Sequence, residues 1–325
     1  MTMLGGEFSL IAFLKELLAA GGPGVSVGVG DDAAVLHKIG AELLVSADAL
    51  VEDVHFRWAW SDPFELGRKT AAVNLSDIAA MGGVPRWATL TVSLPGSTSR
   101  RRFEAFVRGV VDGLAEHGAT LVGGDLTGSP GPWSVSLTIL GTAPTAGALR
   151  RSGARAGDDI WVAGALGDAA LALRMLEAQK NPCRASDGGL ASPWSALLDP
   201  RPRCALGKAL GASGLAHAAI DISDGIVRDL GHVCAASDVS AELAVEQLPR
   251  SHDDWPLVLT GGEDYALLFT APPKARDEFP RLHEESGEAG PLVRVGRIVG
   301  GDGAKVSLTL DGEPMEVDRP GFAHF

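Results

Sequence analysis

The sequence is poor in several residue types, and each shortage excludes something. Among its 325 residues there is one tyrosine, and there are three cysteines. Cys183, Cys204 and Cys234 are widely spaced, form no CxxC pair and imply no disulfide framework. A reducing compartment is therefore expected, with the thiols serving as inert packing groups. No basic tract offsets a net charge of −13, which excludes a nucleic-acid partner. No apolar run is long enough to span a bilayer, so no membrane partner is expected. Met1 to Ser9 has no basic segment followed by an apolar stretch, so no signal peptide is expected. The catalytic signatures GxxxxGKS, HRD with DFG and HExxH are all absent.

What remains is ample material for two globular domains: 46% hydrophobic residues, 21% charged residues and a mean hydropathy near zero. Apolar strands alternate with amphipathic helices in both halves. A break rich in Gly, Pro, Ala and Arg, from Pro144 to Gly157, separates residues 1–148 from 149–325. The reading is two α/β domains in tandem, of the α+β type.

Several local expectations follow. Phe8–Leu18 reads as a short amphipathic helix. Leu43–Ala47 reads as a buried strand that delivers Asp48 to its end. Asp62-Pro63-Phe64-Glu65 opens a helix that runs to Met81 and stops at Gly82-Gly83. Ala88–Leu94 and Trp133–Ile139 alternate as half-buried strands, and Phe103, Phe106, Val107, Val110 and Leu114 mark one helix face. Gly123-Gly124-Asp125 reads as a loop. In the second half, Ile160–Ala163 leads through Gly164-Ala165-Leu166-Gly167 into a helix. Residues 179–199 read as a loop, Ala218–Ile222 as a buried strand, and Lys305–Leu310 with Asp311-Gly312 as the start of a terminal hairpin.

One theme runs through the chain: aspartates beside glycine or serine, mostly at the ends of apolar strands. It begins in Gly28-Val29-Gly30-Asp31-Asp32-Ala33 and returns in Ser46-Ala47-Asp48, Asn74-Leu75-Ser76-Asp77, Gly123-Gly124-Asp125, Asp221-Ile222-Ser223-Asp224-Gly225 and Gly261-Gly262-Glu263-Asp264-Tyr265. A single such turn is ordinary loop chemistry. A series of them points to carboxylates gathered around hard cations, which would also reconcile an acidic chain with a phosphorylated ligand. Asp77 lies three residues from Asn74 on a helix of small apolar residues, where a carboxylate without compensation is costly, so metal ligation is the better reading. Ser223 or Asp224 could simply cap a helix, but a cap does not account for Asp221 within an apolar strand. Gly164-x-x-Gly167 could seat a phosphate, although that pattern is common. His55 could serve as base, donor or packing residue.

Taken together, Gly30-Asp31-Asp32-Ala33, Ala72–Gly82, Leu121–Asp125, Ile220–Gly225 and Gly261–Tyr265 resemble, in order, the thiamine-monophosphate kinase family. Gly6–Ile11 and Arg151-Ser152-Gly153-Ala154 add to the likeness. The resemblance implies the aminoimidazole-ribonucleotide-synthetase-like fold. Residues 1–148 would bind ATP and metal and dimerise through their sheet, and 149–325 would form an α/β domain closing the active site. It implies phosphorylation of thiamine monophosphate by ATP with several Mg²⁺ ions, in a cytoplasmic homodimer. Position by position, it assigns Asp32, Ser46, Asp48, Asp77, Asp125, Asp221 and Asp224 to metal. It assigns Gly124, Asp125, Arg151 and Ser223 to the nucleotide, and His55, Glu263 and Phe322 to thiamine phosphate. Asp77, Asp125 and Asp224 would be the catalytic carboxylates.

Two positions depart from the family pattern. Ala47 stands where threonine is common, and His117 where an aromatic lies beside the nucleotide. Asp31 receives no separate role. The alternatives are another ATP-using enzyme of the same superfamily or a non-catalytic nucleotide sensor. Against the selenophosphate synthetases, the first cysteine here is Cys183. Against the hydrogenase-maturation relatives, the sequence given ends in His324-Phe325.

Overall fold

The structure is a computed structural model that describes residues 13, 14, 16–18, 22–27, 35, 36, 40–185, 189–301 and 303–322. The chain divides into two compact units. One comprises Met1–Leu75 and Pro85–Thr142, the other Ser76–Val84 and Ala143–Phe325. Of the expected first helix, residues 13, 14, 16 and 17 are helical, Leu18 turns, and the rest lies outside the described residues, as do Asp31 and Asp32.

In the first unit, β1 (Val25–Val27) pairs antiparallel with β2 (Val35–Leu36). The main sheet has four strands: β3 (Leu43–Val51), β4 (Val84–Leu94), β5 (Thr120–Gly128) and β6 (Ser134–Thr142), in the order β3-β6-β4-β5. β3 runs antiparallel to β6, and β4 parallel to β5. Helices α1 (Pro63–Ala80) and α2 (Arg100–Glu116) supply the other layer. The start of α1 follows from its sequence: Asp62 Oδ1 accepts the N–H of Phe64 at 2.8 Å and of Glu65 at 3.4 Å, and Pro63 needs no partner for its nitrogen. Its end follows too, because Gly82 takes a φ of +68° and Gly83 N–H returns to Ile78 O at 2.9 Å. Alternate residues of β4 (Leu90, Val92, Leu94) and β6 (Val135, Leu137, Ile139) are buried, as is the apolar face of α2. Trp133 seals one end, edge-on to Trp58 and Phe106.

Two expectations change here. β3 is nine residues long, so Asp48 lies within the strand and not at its end. Nor is β3 buried: it is an edge strand, and the side opposite the helices leaves Leu43 49% and Val45 62% exposed. Gly123-Gly124-Asp125 is strand, not loop. The glycines let β5 continue against β4, since a Cβ on Gly124 would lie 1.8 Å from Leu90 O.

The second unit is built on seven strands: β7 (Asp159–Ala163), β8 (Ala218–Ile222), β9 (Ser240–Ala244), β10 (Ala266–Ala271), β11 (Leu292–Val299), β12 (Val306–Leu310) and β13 (Glu313–Met315). Their order is β13-β12-β9-β11-β7-β10-β8, and only β9 and β12 run parallel. The central strands read as unbroken apolar runs because helices cover both sides. On one side α6 (Ile226–Ser237) and α7 (Trp255–Thr260) pack Leu230, Val233, Val258 and Leu259 against Ile160, Ile220 and Leu268. On the other, α5 (Cys204–Ser213) and α8 (Glu278–Ser286) pack Leu206, Leu210 and Phe279 against Trp161, Leu267 and Phe269. Helix α3 (Asp168–Glu177) follows the Gly164–Gly167 turn as expected. The stretch expected as a loop holds one short helix, α4 (Trp194–Leu198), around an apolar WSALL segment. No disulfide is present among the described residues, and none of their helices is long and apolar enough to cross a membrane.

Candidate active site

In the first unit the site residues are set by β3 and α1. Ser46 and Asp48 share the side of β3 that carries buried Leu44 and Leu50, yet Asp48 itself is exposed. Its backbone N–H donates to Asn74 Oδ1 at 3.0 Å, and Asn74 Nδ2 donates to Thr70 O at 3.0 Å. Asn74 is fully buried. A carboxamide in that position both accepts and donates, so it fastens α1 to β3 at the residue whose side chain matters. Just beyond β3, Asp53 takes a left-handed φ of 67°, and His55 folds back so that its Nδ1 accepts Val51 N–H at 3.0 Å. An accepting Nδ1 puts the proton of the neutral ring on Nε2. Lys69, buried on α1, donates from Nζ to His55 O at 3.5 Å.

Gly124 and Asp125 lie on β5, the opposite edge of the same sheet, with Asp125 exposed and in register with Thr91. The strands that carry Asp48 and Asp125 are thus three strand spacings apart, roughly 14 Å across the sheet. Ala47 faces the open side of β3, paired with Thr138, and His117 forms the C-cap of α2.

In the second unit, Asp77 is half-buried near the end of α1. Its neighbour Ser76, fully buried, donates from Oγ to Asp221 Oδ2 at 2.7 Å. Asp221, at 6% exposure, is therefore a buried carboxylate in β8 with a hydroxyl donor, as burial of a charge demands. The chain then turns through Ser223 and Asp224. Neither side chain caps α6, whose N-cap is Gly225 with no side-chain bond. Instead Asp229 reaches back, and its Oδ2 accepts the N–H of both Ser223 and Asp224 at 3.0 Å. Burial pushes the Asp229 carboxyl up to about 6, opposed by these two N–H bonds and by the charge of Arg151. Burial and the charges of Arg151 and Arg228 hold His232 below its ordinary value. Ligand atoms of Asp224, Asp229 and His232 all lie within 4.8 Å of one another.

Other expected residues converge on this turn. Glu263 N–H donates to Ser223 O and Tyr265 N–H to Ile222 O, both at 2.8 Å. Phe322 N–H donates to Asp224 O at 3.0 Å, the guanidinium of Arg228 donates to Phe322 O, and the phenyl ring is half-exposed. Exposed Arg151 is fixed through its carbonyl, which accepts Ser237 Oγ at 2.8 Å from the end of α6. The second unit therefore brings Ser223, Asp224, Glu263 and Phe322 together around the start of α6, with Arg151 held at its far end and its charge felt at Asp229 and His232.

The possible phosphate seat at Gly164–Gly167 is already taken. Gly167 N–H, at the start of α3, donates to both oxygens of Asp264, at 2.9 and 3.1 Å. An internal carboxylate satisfies the helix terminus that an anion would have used. The residues that sequence reasoning missed are those holding the ligand-type groups: Ser76, Asp229, His232, Asp264, and Asn74 in its fastening role. Ser76 and Asp264 stood inside the recognised stretches. Asp229 and His232 lie five and eight residues after Asp224, on the first turns of an expected helix.

Comparison with known proteins places the chain in a family. The profile of AIR synthase related protein, N-terminal domain, matches residues 30–143, and that of its C-terminal domain matches residues 155–309. Thiamine-monophosphate kinase of Escherichia coli (strain K12) is 38% identical over 99% of both chains. The crystal structure of thiamine-monophosphate kinase from Stenotrophomonas maltophilia K279a superposes with a TM-score of 0.82 at 41% identity, covering 95% of this chain and 98% of that one. A second structure, AaThiL complexed with AMPPCP and TMP, gives a TM-score of 0.73 at 31% identity, covering 98% and 97%. With both domain profiles matched and full-length relatives well above 30% identity, the chain belongs to the thiamine-monophosphate kinase family, within the AIR synthase related proteins.

Proposed function

We propose that the chain transfers the γ-phosphoryl group of ATP directly to the phosphate of thiamine monophosphate, giving thiamine diphosphate and ADP. The observation that carries this reading is the full-length likeness to thiamine-monophosphate kinases, one of them described in complex with AMPPCP and TMP. The donor chemistry of the chain supports it. Asp48, Ser46, Asp77, Asp125, Asp221 and Asp224 offer only oxygen, which fits hard divalent cations, and Asp32 would join them. When bound, Mg²⁺ supplies charge neutralisation of the phosphates.

The residues themselves orient and hold. The neutral His55 ring, with its proton on Nε2, is a hydrogen-bond donor to the thiamine-phosphate oxygens. Glu263 and Phe322 meet the same substrate, and Gly124, Arg151 and Ser223 meet the nucleotide. Acceptor oxygens already ionised at neutral pH need no strong base, so positioning accounts for much of the rate. No nucleophile need intervene: Ser223 has no lysine or histidine beside it in its motif to activate it.

Residues 1–148 act as the ATP- and metal-binding, dimerising part, and 149–325 as the second α/β domain of a cytoplasmic homodimer. The open side of β3, with Leu43 and Val45 exposed, suits burial against a second copy. Separation of Asp48 and Asp125 to opposite sheet edges suits a site that the second copy completes. The experiment is incubation with ATP, Mg²⁺ and thiamine monophosphate, with thiamine diphosphate and ADP expected in equal amounts. A second incubation with γ-labelled ATP and no acceptor should leave the protein unlabelled and show no ADP–ATP exchange. Label that chases into thiamine diphosphate would refute direct transfer.

A further inference from the structure

Between α7 and β10 the chain does something expensive. Glu263 has a φ of 69° and Tyr265 a φ of 47°, two side-chain-bearing residues in the left-handed region with one residue between them. Such conformations cost on the order of 1 kcal/mol or more each and persist only where the surroundings over-determine them. Two of the constraints are the backbone bonds to Ser223 O and Ile222 O. The third is the side chain between them. Asp264 sends its carboxylate away from the Ser223–Asp224 turn to the start of α3, where both oxygens accept Gly167 N–H and the Ala169 N–H also donates to it.

Gly167 is a firm anchor. A Cβ there would lie 2.9 Å from Val258 Cα, and its carbonyl accepts from His252 Nε2 at 3.2 Å. The next residue, Asp168, accepts the hydroxyls of Ser192, at 3.1 Å, and of Ser251. Burial pushes the Asp264 carboxyl well above the usual carboxylate range, with Asp168 and Glu263 adding to the effect and the two N–H donors opposing it. A group this costly to bury could have been replaced by any ordinary helix cap if capping α3 were its whole purpose.

We propose that Asp264 is a positioning residue for the phosphoryl acceptor: anchored on the first residues of α3, it holds Glu263 in its left-handed conformation and so sets the affinity for thiamine monophosphate. This rests on the reading that Glu263 meets that substrate, and the test separates the two.

KM values for thiamine monophosphate and for ATP are measured in the full chain for wild type, Glu263→Gln, Asp264→Ala and Asp264→Asn. Thiamine monophosphate binding without ATP is measured by calorimetry. Asp264→Ala is expected to raise the thiamine monophosphate KM about tenfold while the ATP KM stays within about twofold. Asn keeps one oxygen able to accept Gly167 N–H, so Asp264→Asn should recover part of the loss, to about threefold. If the alanine variant does not fold, the asparagine variant carries the test through the same split between the two substrates. Equal shifts in both KM values, no shift in either, or an asparagine variant as impaired as alanine would overturn the inference while Glu263→Gln still weakens thiamine monophosphate. An unchanged thiamine monophosphate KM in Glu263→Gln would instead remove the reading beneath it.

Discussion

Replacing Ser76 by alanine should damage metal-dependent turnover without damaging the fold. The hydroxyl donates to Asp221 Oδ2 at 2.7 Å, with both residues buried, so no water stands ready to replace it. A hydrogen bond to a charged group contributes about 1.5–3 kcal/mol. At about 1.4 kcal/mol per decade, that is roughly 10- to 150-fold, in line with what loss of a ligand-orienting partner costs in metal affinity or activity. The assay is kcat as a function of Mg²⁺ at saturating ATP and thiamine monophosphate, beside a thermal melt. Alanine suits the helix interior, but loss of the buried hydrogen bond should also lower the melt, so each rate is measured well below the variant's own transition. The Mg²⁺ concentration for half-maximal rate should rise by about tenfold or more, and Ser76→Cys, a weaker donor, should fall between. A wild-type Mg²⁺ curve in Ser76→Ala would show that Asp221 is held by something else, or that it does not bind metal.

Four further outcomes are expected. Asp77→Asn and Asp125→Asn should each cut kcat roughly 100-fold with the fold intact, as loss of a metal-borne charge on the transferring group would; near wild-type turnover in both would remove the metal cluster. If a second copy completes the site, mixing inactive Asp48→Asn with inactive Asp125→Asn should restore a substantial fraction of activity, read as ADP release after subunit exchange, whereas silence would place both residues in one chain's site. Buried Asp159 receives Arg276 through Nε at 2.5 Å and Nη2 at 2.7 Å, with Arg294 at 3.5 Å, so Arg276→Ala should lower the urea midpoint, and by less than a fully orphaned charge would because Arg294 remains. Asp264 has its folded pKa raised above the unfolded value of 3.8, so the folded chain keeps a proton that the unfolded chain has released. That contribution to stability is full below about pH 4 and is lost as pH rises through the folded value; urea melts from pH 4 upward should show the fall in wild type and a smaller one in Asp264→Asn.

How much of this was legible beforehand depended on whether the signal was local. α1 could be read at both ends because its cap, its N1 proline and its terminal glycine pair are all within the segment. The strands β7, β8 and β10 could be read because burial on both sides leaves an unbroken apolar run. Gly123-Gly124-Asp125 misled because glycine pairs usually mark loops, and only the neighbouring β4 backbone requires them in a strand. β3 misled because an edge strand with an open apolar side has the same composition as a buried one. Helices α5, α7 and α8 carry few sequence signals of their own, and packing against β7 and β10 defines them. The site divides in the same way. The carboxylates stood out as repeated Asp motifs. The pairs Ser76–Asp221, Asn74–Asp48 and Asp264–Gly167 span 145, 26 and 97 residues, and no spacing rule reaches that far.

Those long-range pairs have one physical property in common: the bonds they make are to neutral donors or acceptors. Asp221 receives a serine hydroxyl and Asp48 gives its backbone N–H to a carboxamide; Asp229, bonded over a shorter range, likewise receives backbone N–H groups. A lysine or arginine in any of these places would fix geometry equally well, but it would cancel the negative charge that draws a divalent cation. Neutral partners fix the position of these residues without themselves cancelling the charge. The arginines at the second unit's cluster, Arg151 and Arg228, sit differently: Arg228 is 3.6 Å from Asp224 and engages Phe322 O, and Arg151 is exposed, its charge felt at Asp229 and His232. On the proposed function, the arrangement would separate two tasks of phosphoryl transfer between two anionic substrates: attracting cations to the carboxylates, and presenting fixed positive charge to a phosphate that approaches them. Exchanging the first kind of partner for a charged one, as in Asn74→Lys, should therefore lower Mg²⁺ affinity even where Asp48 keeps its place, whereas Asn74→Asp, which keeps the acceptor for Asp48 N–H, should cost stability first and Mg²⁺ affinity less.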